Sequence, residues 1–249
     1  MIRISRTYPG VSTVVSPRDA MWAGDVRAYF TVGASAQAAI ERSLAAAHHG
    51  SPASVLDFAC GHGRVARFMR SAWPDAALTA SDLDPDGGDF CARQFGATSV
   101  PSHDPLDDLD VGGPFDLIWS GSLLTHFDAH RWPEALGWFR RHLAPDGVLI
   151  FSNHGALSAA ILGGDDEQAR RLALPLRYGL RPEAAAKMAH DYEARGFGFA
   201  PEPNPLFGLS VASPEWVKRQ VDAAALRVVR YEEATWADHH DVVTCVRAG

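Results

Sequence analysis

Cysteine is scarce in this chain. Cys60, Cys91 and Cys245 are a scattered, odd set of 3 among 249 residues, with no C-x-x-C spacing. That argues against a disulfide framework or a structural zinc site. Long apolar runs are missing as well: no window approaches ~18 uninterrupted apolar residues, so no membrane span is expected. The opening "MIRISRTYPGVSTVV" also lacks the apolar stretch of a secretory signal. Positive charge is thin, with 23 basic against 30 acidic side chains, a formal net charge of −7 and no long Lys/Arg run. Nucleic acid is therefore not an expected partner. Internal repeats and low-complexity tracts are absent too, which leaves a protein of a reducing cytoplasm with no indication of its oligomeric state.

What is present is a globular composition, 47% hydrophobic and 21% charged, enough to bury a core. Residues 1 to about 18 read as irregular. Asp19 to about Ala47 reads as helical, with a break near Thr31-Val32-Gly33 that makes two helices. Strand and helix then alternate. The strands are Ser54–Ala59, Ala77–Ser81, Ala97–Pro101, Phe115–Ser120 and Val148–Asn153, the last entered through the turn Pro145-Asp146-Gly147. The helices between them are Gly63–Ala72, Asp86–Phe95 and Arg131–Leu143. Such alternation implies right-handed crossovers and a mostly parallel, doubly wound α/β sheet. The chain ends differently: Leu226–Ala234 and Asp241–Gly249 are too close for a crossover helix and should pair antiparallel. Gly155–Ser213, with its Pro/Gly-rich "GFGFAPEPNPLFG", reads as a segment covering the sheet's carboxyl edge. The expected organisation is one domain over 1–249. It comprises an N-terminal helical lid (1–50), a ligand-binding core (51–155), a covering segment (156–213), and a last helix with the hairpin (214–249).

Ligands of open α/β sheets bind beyond the carboxyl ends of the strands, and the informative residues sit there. "VLDFACGHGRVARFM" contains Gly61-His62-Gly63-Arg64-Val65-Ala66, which fits G-x-G-x-x-A. Asp82 ends the second strand about 20 residues on, where a carboxylate can accept both ribose hydroxyls. His103-Asp104 follows the third strand and Ser120-Gly121-Ser122 the fourth. A nicotinamide dinucleotide would place its pyrophosphate beside the glycines, but Asp57 lies four residues upstream and would repel it. An ammonium group would be welcome beside Asp57. The ligand combining ribose, adenine and an α-amino acid is S-adenosylmethionine (SAM).

"VLDFACGHGRVA" resembles motif I of class I SAM-dependent methyltransferases, an acid followed by three alternate glycines. Asp57, Gly61 and Gly63 match, and Ala59 stands where the first glycine belongs. "ALTASDLDPD" is similar to the second-strand motif, which implies Asp82 on the ribose and Leu83 against the adenine. "SHDPLDDL" resembles the segment whose Asp, here Asp104, accepts from the adenine amino group. "FDLIWSGSLLTHF" resembles the fourth-strand motif, with Ser120 at the cofactor, and "LAPDGVLIFSNHG" resembles the turn and fifth strand. The resemblance implies a seven-stranded sheet of order 3-2-1-4-5-7-6 with SAM as cofactor and a small-molecule acceptor methylated on oxygen or nitrogen. Tyr29, in an N-terminal helix, is expected to close over the cofactor. A non-catalytic SAM-binding module and an NAD(P)-dependent oxidoreductase are the alternatives.

Removing a proton from an oxygen or nitrogen acceptor can need a base. His126 in "SLLTHF", His154 at the end of strand five and His240 in the hairpin connection are the candidates. His239-His240-Asp241 invites a metal, but adjacent strand residues face opposite sides, so none is expected. Trp119 reads as core and His48-His49 as a helix end. Asp107-Asp108-Asp110 and Asp165-Asp166-Glu167 read as solvated turns. Tyr178, Phe197, Phe199, Phe207 and Trp216 suit an enclosed, partly apolar acceptor pocket.

Overall fold

The computed structural model describes residues 8–164, 179–201 and 207–249. The acidic run Asp165-Asp166-Glu167 and Tyr178 lie outside the described residues. The helices are α1 (Val26–Ala46), α2 (Ala66–Ala72), α3 (Pro85–Phe95), α4 (Arg131–His142), α5 (Ala156–Gly163), α6 (Pro182–Arg195) and α7 (Pro214–Ala223). The strands are β1 (Ser54–Phe58), β2 (Ala77–Asp82), β3 (Thr98–Pro101), β4 (Phe115–Ser120), β5 (Leu143–His154), β6 (Phe197–Pro201), β7 (Gly208–Ala212), β8 (Leu226–Trp236) and β9 (His240–Arg247). Seven of them form one sheet in the order β3-β2-β1-β4-β5-β9-β8. β1 is parallel to both β2 and β4, while β8 and β9 are antiparallel. With β8 and β9 counted as the sixth and seventh strands of the sheet, this is the order that the sequence motifs imply.

The chain divides into two compact units, residues 1–121 with 141–150, and residues 122–140 with 151–249. In the first, Tyr29, Phe30 and Phe68 form an apolar cluster joined by Tyr8, Val11, Val15, Trp22 and Val26. α1 is continuous where the sequence suggested two helices. A Cβ on Gly33 would lie 2.4 Å from the Arg64 carbonyl oxygen and from the Phe68 ring. Gly33 therefore marks close packing of α1 against α2, and the helix accepts its modest propensity cost. Asp25 caps the helix by accepting from the Ala28 N–H at 3.0 Å.

In the second unit α5, α6, β6 and β7 enclose Ala159, Leu162, Ala185, Met188, Ala200, Leu209 and Val211. β6 and β7 pair antiparallel as a separate two-stranded sheet, where the sequence reads as a covering segment with no strands of its own. Phe197 stacks on Trp216 with ring centroids 4.4 Å apart, and Trp216 meets Trp132 edge-on at 5.1 Å. Both Phe197 and Trp216 are buried, which makes them core of this unit and not pocket lining. Phe199 and Phe207 are half-buried. Among the described residues no helix is long and apolar enough to cross a membrane, and all three cysteines are free and buried.

Candidate functional site

Near the carboxyl ends of β2, β1 and β4, adjacent in the first unit, lie three buried polar atoms. These are Ser81 Oγ, Asp57 Oδ2 and Ser120 Oγ, and none makes a hydrogen bond among the described residues. Buried polar groups are normally satisfied; Asp57 is level with Ala80 and Trp119 in the sheet, hence on the face opposite Ser81 and Ser120, so its Oδ2 stands apart from the other two. Asp57 accepts a backbone hydrogen bond from Ala66 at the start of α2, which accounts for one oxygen only. Burial, and then the nearby Asp82 charge, push its carboxyl up to about 7.

Between β1 and α2 the chain makes a tight loop with φ of 65° at Ala59, 49° at Gly61 and 70° at Gly63. The glycines adopt these values freely, whereas alanine in the left-handed region costs roughly 1–2 kcal/mol. Ala59 therefore keeps the loop conformation that glycine would favour, and the loop holds it there. The Ser81 carbonyl accepts from the N–H groups of Ala59 at 2.9 Å and Cys60 at 3.1 Å. The Gly61 N–H donates to Asp82 Oδ2 at 2.7 Å, and the Asp84 N–H donates to Asp82 Oδ1 at 2.9 Å. Asp82 is thus fixed in orientation at the end of β2 while still half-exposed. Next to it Leu83 is 42% exposed, an apolar side chain left facing solvent where the resemblance places adenine. Asp104 is exposed beyond the end of β3.

Tyr29 does not sit as an open lid residue. It is 3% exposed; its hydroxyl donates to Asp19 Oδ2 at 2.5 Å and accepts from Arg67 at 3.2 Å. Sequence reasoning missed Arg67, which is buried and donates to the carbonyls of Gly63 at 3.0 Å, Ser12 at 3.0 Å and Val14 at 2.9 Å. Tyr29 acts on the glycine loop through this arginine. His62, inside the glycine motif, was also missed: it lies 3.0 Å from Asp86, which in turn meets Arg18 at 3.1 Å. A buried arginine on α2 and a histidine inside the loop have no local sequence signature. Only the fold shows that their partners come from residues 12–29 and from α3.

The second unit holds the histidines. His126 follows β4 in a short 3-10 turn, and its Nδ1 lies 2.8 Å from the Gly208 carbonyl. A carbonyl can only accept, so Nδ1 carries the proton and Nε2 is the basic atom. His154 and His240 come together with ring centroids 4.5 Å apart. His239 joins them, 5.3 Å from His154 and 4.4 Å from His240. The alternation argument against this meeting fails because His239 is not on a strand: β9 begins at His240. The preceding Ala237 and Asp238 have φ of 49° and 66°, so the turn brings two consecutive rings to one side. All three histidines are buried, and burial, with His239 and His126 nearby, holds His154 well below the ordinary imidazole range.

The sheet order, the glycine loop and the carboxylate ending β2 define the class: this is the fold of the class I SAM-dependent methyltransferases. A family model described as "Methyltransferase domain" matches residues 32–197, and the chain belongs to that family. It is similar to a malonyl-acyl-carrier-protein O-methyltransferase of Acetivibrio thermocellus, 28% identical over 122 residues, 47% of this chain and 41% of that protein. It is also similar to a trans-aconitate 2-methyltransferase of Streptomyces avermitilis, 28% identical over 147 residues, 56% of this chain and 51% of that protein. The match thus spans about half, or less, of the length of these curated relatives. Among solved structures, the 1,6-didemethyltoxoflavin-N1-methyltransferase of Burkholderia thailandensis, with bound 1,6-didemethyltoxoflavin and S-adenosylhomocysteine, shares the fold. The TM-score is 0.56 at 17% identity, over 89% of this chain and 79% of that one.

Proposed function

We propose that the protein transfers the methyl group of SAM to an oxygen or nitrogen of a small-molecule acceptor. The observation carrying this reading is the buried Asp57 carboxyl, whose Oδ2 makes no hydrogen bond among the described residues beneath a glycine loop. That is a receptor for an ammonium group and a poor neighbour for a pyrophosphate. Asp82 takes the ribose hydroxyls, Leu83 the adenine face and Asp104 the adenine amino group, with Gly61 and Gly63 letting the backbone approach. When bound, SAM supplies a methyl group on a positively charged sulfur, which is an activated leaving group. The chain's own task is then to align the acceptor, exclude water and accept a proton. His126 Nε2 is the base in this reading. The relatives' names, one an O-methyltransferase, support oxygen as the acceptor atom.

Calorimetric titration with S-adenosylhomocysteine, and separately with NAD and NADP, tests the cofactor. Micromolar binding of the first alone is expected, and binding of a nicotinamide nucleotide alone overturns the reading. A pH series adds a sharper check. Asp57 has a raised pKa in the unligated protein, so ionising it costs stability between pH 4 and 7, and an ammonium neighbour removes that cost. Binding then releases a proton, and affinity should rise with pH by up to about tenfold per unit below pH 7 and level off above it. Asp57→Asn should flatten the profile, and an unchanged profile would place the ammonium elsewhere. Once acceptor screening by S-adenosylhomocysteine release has found a substrate, His126→Ala should lower kcat while leaving cofactor affinity intact. An unaffected kcat would remove His126 as the base.

A further inference from the structure

We propose that His154, His239 and His240 form a binding site for one divalent transition-metal ion of the zinc class. His154 ends β5, His239 closes the turn after β8 and His240 opens β9, and β5 and β9 are neighbours in the sheet. Residues 85 positions apart in sequence are thereby brought into one cluster. One ring nitrogen from each of the three lies within 4.8 Å of the others. The side chains are 2%, 2% and 3% exposed, so the cluster is not a chance meeting of surface groups.

The opposite edge of each ring is anchored. Nδ1 of His154 lies 3.2 Å from the Ser210 carbonyl, Nδ1 of His239 2.5 Å from the Ala237 carbonyl, and Nδ1 of His240 3.2 Å from Ser152 Oγ. Two of these acceptors are carbonyls, which set the proton on Nδ1 and turn the Nε2 lone pair inward. The Ser152 oxygen already accepts from the Ser122 N–H at 2.8 Å and has a second lone pair for His240. Metal-binding imidazoles are held in this way, with the non-ligating N–H on a carbonyl or hydroxyl oxygen. The anchors are themselves fixed: the Ser158 hydroxyl donates to the His239 carbonyl at 2.9 Å, and the Ser210 hydroxyl to the Leu124 carbonyl at 3.1 Å.

A second, independent feature is the turn that presents the pair. Ala237 and Asp238 both occupy the left-handed region without being glycine, a conformation that strains the backbone. The turn accepts that strain in order to place two successive imidazoles side by side. Zinc–nitrogen bonds of about 2.0–2.1 Å put ligand nitrogens roughly 3.4 Å apart, so small ring rotations close the cluster onto an ion. An all-imidazole set selects zinc, nickel, cobalt or copper over magnesium or calcium, which need oxygen ligands. Three protein ligands leave one tetrahedral position for water or for an oxygen of another molecule, as in zinc sites that do chemistry.

The test uses the full-length, untagged protein stripped with a chelator and titrated with zinc chloride alone, followed by calorimetry and thermal unfolding. Saturable uptake of one equivalent with a raised Tm is expected, and cobalt(II) at the same stoichiometry should show tetrahedral visible absorption. His239→Ala and His240→Ala should each weaken zinc binding roughly 100-fold, while His48→Gln with His49→Gln, at the end of α1, should leave it unchanged. Because His154 is deeply buried, His154→Gln is read only after its unfolding curve shows a folded protein. No one-equivalent binding by the wild type overturns the proposal. So does equal binding by the wild type and both hairpin variants, which would make the cluster a hydrogen-bonded group of neutral rings.

Discussion

Arg67→Ala is expected to lower the unfolding free energy by about 3–5 kcal/mol, the range for removing one partner from a buried charged network. The guanidinium is 1% exposed. It donates to the carbonyls of Gly63, Ser12 and Val14 and to the Tyr29 hydroxyl, and lies 5.2 Å from the centroids of both Tyr29 and Phe30. Burial lowers its pKa, and the neighbouring Tyr29 hydroxyl and Asp19 carboxylate act against that. Without it, the carbonyls of Gly63, Ser12 and Val14 lose their donor, and Asp19, 6% exposed, loses a compensating cation. Arg67→Met replaces much of the volume without the hydrogen bonds, and it should cost nearly as much if polar satisfaction dominates. Arg67→Lys should rescue little, since one ammonium cannot reach acceptors spread over a guanidinium's width. Urea unfolding of the three variants decides the matter, and a loss under 1 kcal/mol for alanine would show that the network adds nothing net. The same variant should weaken S-adenosylhomocysteine binding, because the Gly63 carbonyl is one end of the tie.

The parts of this molecule that were legible in the sequence are those where one local rule decides. The β1–α2 loop, the acid ending β2 and the closing hairpin each follow from short patterns, and β4 was expected over the residues it occupies. The parts that were not legible depend on partners far along the chain. Gly33 reads as a helix break until the Arg64 carbonyl and Phe68 are seen pressing on it. The β6–β7 hairpin is hidden by its own glycines, and Gly198 is there because a Cβ would come within 2.2 Å of the Met188 carbonyl. The histidine cluster escaped for a similar reason. Strand alternation holds only within strands, and β9 starts one residue later than His239. Asp57 is the opposite case, since its sign against a pyrophosphate could be argued from the sequence, and the structure adds the buried oxygen that makes no hydrogen bond among the described residues.

Asp82→Ala should weaken S-adenosylhomocysteine binding by about 1.5–3 kcal/mol, the range for hydrogen bonds to a charged group, equivalent to roughly 10- to 150-fold in Kd. The carboxylate has two tasks. Oδ2 accepts from the Gly61 N–H at 2.7 Å and Oδ1 from the Asp84 N–H at 2.9 Å, so it both holds the glycine loop and, in the proposed complex, meets the ribose. Alanine removes both at once. Asp82→Asn keeps an oxygen for Gly61 and removes the charge, so it should fall between wild type and alanine if ribose recognition contributes separately. A ligand lacking the ribose hydroxyls completes the cycle: it should bind the wild type weakly and lose little further in Asp82→Ala. Equal losses for both ligands would assign the whole effect to the loop, and unchanged affinity for S-adenosylhomocysteine would place the ribose on other residues. The outcome also bears on Asp57, whose carboxyl is raised in part by the Asp82 charge. Removing that charge should lower the Asp57 pKa and shift the rise of ligand affinity with pH to more acidic values.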